Sequence, residues 1–330
     1  MEPDGRGGSG VVAVAGEALI DLLPREQGLF EAVPGGSPAN VAVGLARLGV
    51  PTRMLARIAG DALGQRLRAH LAGNGVDLSF AVRAPEPTSL AIVTMGPDGL
   101  ADYDFRVEGT ADWQWRDAEL AGALAERVVA LHAGSLALTM PPGAVVLTRL
   151  LARARDGATV SYDPNCRPLL MGSPEQVRDQ VDRLVALADV VKASADDLAW
   201  LLPGRAAEQV AVEWLAKGPA IVAITLGAAG AVAAAARTGT IRRAAPRVEV
   251  VDTVGAGDAF MSALLAGLRD RDLLGAQRRE ELRAIDRETL TRVLDQAVLA
   301  ATITCTRSGA QPPTADELHA ALRDSGNESS

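Results

Sequence analysis

The sequence has 330 residues and a formal net charge of −8. Only two of its 33 basic residues are lysines, Lys192 and Lys217, and neither of them follows a glycine. A Walker-type phosphate loop requires Gly-Lys-[Ser/Thr], so proteins that bind nucleotides through this loop are excluded. The negative net charge argues against a general nucleic-acid binder.

The cysteine count and the apolar stretches bear on the cellular compartment and on membrane association. Two cysteines, Cys166 and Cys305, are too few for a disulfide framework. Two uncharged stretches, 128–148 and 218–236, contain prolines or glycines and are interpreted as buried strands joined by turns, not as membrane spans. We expect no signal peptide, no membrane partner and a location in the reducing cytoplasm.

Short apolar strands alternate with amphipathic helices along the chain. The pattern predicts strands at 11–15, 128–131, 158–162, 190–191, 220–225 and 248–251, and helices at 38–48, 144–155, 173–188 and 194–202. This alternation favours parallel βαβ units and therefore an α/β fold. Segments 17–33 and 88–107 break the pattern and are expected to pair as a small antiparallel sheet. A single domain over 11–323 is predicted between flexible tails at 1–10 and 324–330.

The strongest local signal is Asp252-Thr-Val-Gly-Ala-Gly-Asp258, which follows an apolar segment and opens an apolar helix. Gly255, Ala256 and Gly257 would leave the first backbone N–H groups unobstructed, and a helix N-terminus attracts anions. Asp258 lies in the same first turn. This pairing suits phosphoryl transfer, in which Asp258 takes the proton of the attacking hydroxyl. The alternative is an ordinary capped helix with an acidic first turn.

A second motif changes the balance between these alternatives. Gly35-Gly36-Ser-Pro-Ala-Asn40 precedes a helix that ends near Gly49, with Ser37 expected to cap that helix. Together with the 252–258 motif, it resembles the two signatures of the ribokinase (PfkB) family of sugar kinases. The resemblance covers roughly residues 11–320. It implies a ribokinase-like three-layer α/β/α sandwich with a mainly parallel central sheet and a small β-sheet lid.

The resemblance also implies roles for individual residues. It makes Asp258 the catalytic base, and Gly255, Ala256 and Gly257 the anion hole. The implied substrate-binding residues are Asp21, Gly35, Gly36, Asn40, Arg106, Arg167 and Asp258. The implied nucleotide-binding residues are Thr225, Gly227, Gly230, Ser194, Gly257 and Gly309. Asp197 would act on Mg²⁺ through water, and Asp252 would help to hold a monovalent cation such as K⁺. ATP and Mg²⁺ are the implied cofactors, and pairing of lids implies a homodimer.

The loop Asp163-Pro-Asn-Cys-Arg167 resembles the fructokinase and 2-keto-3-deoxygluconate kinase branches of the family. Its arginine has a planar fork suited to phosphate oxygens, although it could instead pair with Asp163 or another acid. Fructose is the expected substrate, and 2-keto-3-deoxygluconate kinase, ribokinase and nucleoside kinase are the alternatives. A nucleoside would favour an aromatic stacking surface, yet only 3% of the residues are aromatic.

Two functions from other classes fit the sequence less well. A catalytically silent sugar-binding regulator is disfavoured by the intact Asp258 and its glycine-rich turn. A dinucleotide-dependent oxidoreductase is disfavoured because Gly16-Glu-Ala-Leu-Ile-Asp21 stands where that class has Gly-x-Gly-x-x-Gly. One departure from the family concerns metal binding: Ser194-Ala-Asp-Asp197 replaces the common Asn-x-x-Glu and would also serve as an N-cap pair.

Overall fold

The computed structural model describes residues 10–95, 101–125 and 127–327. The strands are β1 (Val11–Ala15), β2 (Leu19–Pro24), β3 (Phe30–Gly35), β4 (Thr52–Leu55), β5 (Arg57–Ala59), β6 (Val82–Ala84), β7 (Leu90–Met95), β8 (Ala101–Arg106), β9 (Val128–Gly134), β10 (Thr159–Asp163), β11 (Val190–Ser194), β12 (Ile221–Thr225), β13 (Ala231–Ala235) and β14 (Gly239–Arg243). The helices are α1 (Ser37–Arg47), α2 (Ala62–Gly73), α3 (Gly143–Ala154), α4 (Pro168–Met171), α5 (Pro174–Leu187), α6 (Ala195–Leu201), α7 (Ala207–Leu215), α8 (Ala256–Asp270), α9 (Arg279–Arg283), α10 (Arg287–Cys305) and α11 (Ala315–Asn327).

The largest sheet has eight strands in the order β14-β13-β12-β11-β10-β9-β1-β4. The six strands from β12 to β4 in this order are parallel, whereas β13 and β14 form an antiparallel edge. Because parallel strands end at the same edge of a sheet, Asp163, Ser194 and Thr225 all lie at the carboxyl edge. Ligands of open α/β sheets collect at this edge.

Helices cover both faces of this sheet, since successive strand residues point to opposite sides. Val14 belongs to one buried core together with Leu45 of α1 and Leu264 of α8. Ala15, its neighbour on β1, belongs to the other core with Leu150 of α3. The predicted three-layer α/β/α sandwich with a mainly parallel sheet is therefore confirmed.

A second, four-stranded sheet in the order β3-β2-β7-β8 forms the predicted lid. Its outer pairs are antiparallel, but β2 and β7 run parallel. The prediction of a wholly antiparallel sheet was wrong at this central pair. The two hairpins, β2–β3 and β7–β8, are separated in sequence by elements of the rest of the domain. Their first strands, β2 and β7, run in the same direction and pair with each other.

Several local boundaries differ from those expected, including β9 and β11, which extend beyond the predicted 131 and 191 to Gly134 and Ser194. The segment 248–251 is not a strand; Val250 and Val251 are exposed, and the Val251 N–H donates to Cys305 O at 2.9 Å. β-branched residues alone predicted a strand there, but a strand also needs a neighbour to pair with. Ser37 is the first residue of α1, and Gly36 occupies the N-cap position. Helix α11 continues to Asn327, while 1–9 and 328–330 of the predicted tails lie outside the described residues.

The helices that the structure describes include none with the length and apolar character that a bilayer crossing requires.

The packing between α8 and its neighbours yields a first testable expectation. Leu264 is completely buried in the core that joins α1, α8 and α10. We expect Leu264→Ala to lower the free energy of unfolding by about 2–5 kcal/mol, because it removes apolar contacts and leaves a cavity. Urea denaturation measures the change, and Leu169→Ala at a side chain that is 70% exposed is the matched control. Equal losses in the two variants would contradict this packing.

Candidate active site

The loop that precedes α8 is braced by one carboxylate. Asp252 accepts the Val254 N–H at Oδ1 (3.0 Å) and the Gly309 N–H at Oδ2 (2.8 Å). Gly255 adopts a left-handed conformation with φ of 76°, and a Cβ atom there would lie 2.5 Å from the Cβ of Ala310. The structure therefore brings together the predicted cation residue and the predicted nucleotide loop, and only glycine fits between them.

The first turn of α8 presents backbone donors at the carboxyl edge of the sheet. Ala256 donates its N–H to Thr253 O at 3.2 Å. Helix geometry leaves the N–H groups of Gly257 and Asp258 without an intrahelical acceptor. A Cβ atom at Gly257 would lie 2.8 Å from the Nζ of Lys192. The ammonium of Lys192 therefore lies against the backbone of Gly257, whereas 255 requires glycine for its backbone angle.

Asp258 is held in place by two donors from α1. Ser37 donates its hydroxyl to Asp258 Oδ1 at 2.7 Å, and Asn40 donates its amide to Oδ2 at 2.9 Å. Asp258 is only 9% exposed. Ser37 was expected to cap α1, but its side chain instead fixes the candidate base. Two charge-assisted hydrogen bonds orient this carboxylate toward the cleft between body and lid.

Asp21 of the lid lies against the glycine turn that starts α1. A Cβ atom at Gly35 would lie 2.2 Å from Asp21 Oδ2, and one at Gly36 would lie 2.7 Å from Glu17 O. Gly36 also has a φ of 99°. The two glycines therefore let the lid strand and the turn approach each other at van der Waals distance.

Charges from three elements meet at Asp21. Burial raises the pKa of Asp21 to about 6, an effect that Arg167 opposes and that the charge of Asp258 reinforces. Arg167 lies in the loop after β10 and donates to Asn165 Oδ1 at 2.8 Å. It does not pair with Asp163, which was one alternative. Asp21 is thus close enough to Arg167 and Asp258 for their charges to act on it, and the binding of substrate by these three residues stays a prediction.

A buried ion pair lies beside this group. Lys192 of β11 donates to Asp163 Oδ2 at 2.8 Å, and both side chains are at most 4% exposed. Burial lowers the pKa of Lys192, but Asp163, Asp197 and Asp258 raise it more, so the net pKa shift is upward and the ammonium stays protonated. Burial raises the pKa of Asp163 to about 6 despite its cationic partner.

The Ser194-Ala-Asp-Asp197 segment has a clear structural role. Asp197 Oδ2 accepts from the N–H (2.7 Å) and hydroxyl (2.7 Å) of Ser194, and Oδ1 accepts the Cys166 N–H at 2.6 Å. Ser194 in turn accepts the N–H of Asp197, which completes a capping box. Both oxygens of Asp197 are therefore engaged, and its contact with Mg²⁺ through water stays a prediction.

The predicted nucleotide turn follows β12. Thr225 is the register partner of Ser194, which places both at the carboxyl edge. Gly227 and Gly230 have positive φ values of 56° and 88°, and a Cβ atom at Gly230 would lie 2.0 Å from Arg243 O. The turn thus depends on its glycines for backbone shape, and its contact with ATP stays a prediction.

Comparison with known proteins decides between the remaining classes. The sequence matches the pfkB family carbohydrate kinases over residues 11–317. The chain belongs to this family.

The relatives of this carbohydrate kinase include many fructokinases. It is 36% identical over 268 residues to the fructokinase of Rhizobium leguminosarum bv. trifolii, covering 80% of this chain and 81% of that protein. The crystal structure of a Xylella fastidiosa fructokinase with bound ATP superposes with a TM-score of 0.87 at 29% identity, covering 96% and 99% of the two chains. A Vibrio cholerae O395 fructokinase double mutant with fructose, ADP and potassium ion bound gives 0.78 at 28% identity, covering 97% and 99%. The predicted enzyme class, a phosphotransferase acting on a sugar hydroxyl, is confirmed.

The lid of this kinase differs from expectation at Arg106. Asp21, Ala91 and Phe105 are register partners across the lid and share one face, since lateral neighbours in a sheet point the same way. Arg106 lies on the other face, where it is exposed and pairs with Asp104 at 2.7 Å. Phe105 thus lies on the face of Asp21, and the contact of Arg106 with the sugar stays a prediction that this geometry does not support.

Sequence reasoning missed two side chains of the candidate site, Lys192 and Ser37, and did not place Phe105 on the lid face that carries Asp21. Lys192 carried one signal, because it is the charged residue within the buried strand β11. Ser37 was indistinguishable from a capping serine. Phe105 looked like any lid residue, because its face depends on strand pairing. No group of three or more His, Cys, Asp or Glu side chains in residues 10–95, 101–125 and 127–327 could hold a metal ion.

If Asp21 binds the sugar as the sequence predicts, its raised pKa gives sugar binding a defined pH dependence. Asp21 is ionised above about pH 6, and only the ionised carboxylate accepts hydrogen bonds from sugar hydroxyls through both oxygens. We expect the Kd for fructose, measured by calorimetry, to rise as the pH falls below about 6. Asp21→Asn should raise this Kd roughly 10–100-fold at pH 8 and flatten its dependence between pH 5 and 7.

The exposed acid Asp270 provides the matched control, since Asp270→Asn removes one charge at the C-terminal end of α8, away from the first turn of that helix. Its fructose affinity should follow the wild-type curve. A wild-type affinity that is constant from pH 5 to 8, or an unchanged affinity in Asp21→Asn, would contradict the role of this carboxylate.

Proposed function

We propose that this protein is a fructokinase that transfers the γ-phosphate of ATP to a hydroxyl group of fructose. The observation that carries the proposal is the placement of Asp258. It lies in the first turn of α8, is oriented by Ser37 and Asn40, and faces the lid carboxylate Asp21. The similarity to several fructokinases supports fructose as the sugar.

The proposed reaction uses these residues in a simple order. Asp21 and the Gly35-Gly36 turn hold the sugar hydroxyls, and the reactive hydroxyl donates a hydrogen bond to Asp258. The sugar oxygen forms a bond to the γ-phosphorus while the bond from that phosphorus to the bridging oxygen breaks. The proton passes to Asp258, and ADP leaves with the bridging oxygen. The N–H groups of Gly257 and Asp258 bind the charge on the transferred group, and each such donor is worth roughly 3–4 kcal/mol.

The described residues fit a Mg²⁺ ion that is held mainly by phosphates and water. Mg²⁺ characteristically keeps several waters and needs only one or two carboxylates. Asp197, which is 5% exposed, is the residue that would contact the Mg²⁺ ion through a water molecule. When bound, the ion neutralises the charge of the ATP phosphates. We further propose Asp252 as part of a monovalent-cation site, because it joins the 252–258 loop to Gly309.

The lid supports a proposal of homodimerisation. Strand β3 is one of the two edge strands of the lid sheet; its first residue, Phe30, is 50% exposed, and the preceding Leu29 is 64% exposed. An exposed edge with apolar side chains is a natural site for pairing with another sheet. We expect the wild-type protein to sediment as a dimer and Phe30→Asp to sediment as a monomer. A monomeric wild-type protein would contradict this assembly.

A carboxylated sugar is the second candidate substrate. Arg167 lies near Asp21 in the cleft and would pair with a substrate carboxylate, as 2-keto-3-deoxygluconate requires. An assay that couples ADP release to a colour change should be run with fructose, ribose, 2-keto-3-deoxygluconate and adenosine. We expect fructose to give the highest kcat/KM. A higher value for any other sugar would replace fructose in the proposal.

The role of Asp258 is tested by removing its basicity alone. Asp258→Asn should fold normally, because an amide oxygen still accepts from Ser37, and should lower kcat by at least roughly 10²-fold. Asp270→Asn, an exposed position at the far end of the same helix, is the matched control and should keep wild-type turnover. Near-normal phosphorylation by Asp258→Asn would exclude Asp258 as the base.

A further inference from the structure

One of the two lysines of the chain is buried in the active site. The side chain of Lys192 is 4% exposed, and that of its partner Asp163 is 1% exposed. A buried ammonium is costly unless it is paired and hydrogen-bonded. Asp163 explains why this charge is tolerated in the core, but it does not explain why the charge lies at this edge of the sheet.

The position of the ammonium points to an anionic ligand. The Nζ of Lys192 would be 2.8 Å from a Cβ atom at Gly257, so it lies directly against the first turn of α8. Its surroundings include the carboxylates of Asp163, Asp197 and Asp258, all of which favour its charged form. An ammonium has three N–H donors. Within residues 10–95, 101–125 and 127–327, its one hydrogen bond is that to Asp163, which leaves two donors beside the anion hole.

A second ion pair in this fold shows what a purely structural pair looks like. Asp189 precedes β11 at the opposite edge of the sheet and accepts from Arg279 Nε at 2.7 Å. Arg279 also donates through Nη2 to the carbonyl oxygens of Arg155 and Ala158, and its side chain is 21% exposed, so water can reach its remaining donors. Lys192 has donors left over, and they lie where phosphate charge is expected.

We propose that Lys192 is a catalytic residue whose ammonium contacts the γ-phosphoryl group during its transfer to the sugar. This inference rests on the proposed kinase reaction and adds a charged group to its anion hole. The bonds that form and break are those already described, and the transferred proton still goes to Asp258. Lys192 stays protonated throughout and contributes only charge and hydrogen bonds. Asp163 is then a positioning residue, because it aims the ammonium without touching the substrate.

The scarcity of lysine permits a direct test by NMR. Protein labelled with ¹³C at the ε-carbon of lysine gives two resonances, from Lys192 and Lys217, and Lys217→Met assigns them. Lys217 pairs with Asp182 at the surface and serves as an internal control. The labelled protein is titrated in fructose and Mg²⁺, first with ADP and then with the non-hydrolysable analogue AMP-PNP. We expect AMP-PNP to move the Lys192 resonance clearly more than ADP does, while Lys217 stays in place.

Two results of this titration would overturn the proposal. The first is a Lys192 resonance that neither nucleotide moves. The second is an equal shift with ADP and AMP-PNP, which would place the contact away from the γ-phosphate. Both results are independent of turnover, so they can be distinguished from failure of the kinase proposal, which would appear as wild-type protein that phosphorylates none of the sugars.

Kinetics of matched variants separates catalysis from stability. Lys192→Met alone leaves a buried carboxylate unpaired and is expected to lower the thermal midpoint. The double variant Lys192→Met/Asp163→Asn removes both charges and should regain most of that midpoint. Its kcat should nevertheless stay at least about 10²-fold below wild type, since the donor to the phosphoryl group is still missing. Lys217→Met should keep wild-type kcat.

Recovery of wild-type kcat in the folded double variant would show that the pair is only structural. Lys192→Arg adds a check on shape, because Arg keeps the charge but is bulkier beside Gly257. We expect it to fold with a kcat reduced at least about tenfold, because its planar fork cannot reproduce the position of a compact ammonium. A Lys192→Arg enzyme with full kcat would contradict a position set by the packing against α8.

Discussion

The site depends on bringing negative groups together without letting them repel one another. Asp21 and Asp163 both interact with the charge of Asp258, near the place where we propose that phosphate binds, and like charges at short range in a poorly solvated cleft are costly. Each carboxylate is therefore matched with donors. Asp258 has two donors from α1, Asp163 has Lys192, and Asp21 faces Arg167. The helix N-terminus then offers its backbone N–H groups to the incoming charge.

Two of these charged side chains also lie very close to the backbone of a glycine. Asp21 lies against Gly35 and Lys192 against Gly257, so closely that a Cβ atom at either position would force the neighbouring side chain to shift. Both glycines join an element of one part of the molecule to an element of another, the lid strand to the α1 turn and β11 to α8. Glycine at these two positions leaves room for a neighbouring side chain, whereas Gly255 adopts a backbone angle that favours glycine. The motif glycines therefore have different roles: those at 35 and 257 allow close contacts, and the one at 255 allows a left-handed backbone conformation.

Local chemistry made much of this fold predictable. Strand β1 has its predicted bounds, and the capping box at Ser173 opens α5 where its pattern indicated. The features that were missed depend on contacts between distant segments. The hydroxyl of Ser37 could cap its own helix or reach Asp258, which lies 221 residues away along the chain. The apolar segment 248–251 had the composition of a strand but no partner, and the parallel β2–β7 pair depends on the path of the chain through the body.

The absence of a Walker loop was inferred correctly from the two lysines, but the position of Lys192 against the first turn of α8 was not predicted. Because neither lysine lies in a Walker loop, the sequence indicated that backbone N–H groups and arginine side chains would bind the phosphates without a lysine. Arginine presents a wide planar fork, whereas lysine presents a compact charge on a slender stem. The space between Asp163 and Gly257 suits the second shape, because the ammonium lies so close to the first turn of α8 that a Cβ atom at Gly257 would be 2.8 Å from it. In a chain that uses arginine for 31 of its 33 basic residues, a lysine inside a buried strand marks a position where shape as well as charge is constrained.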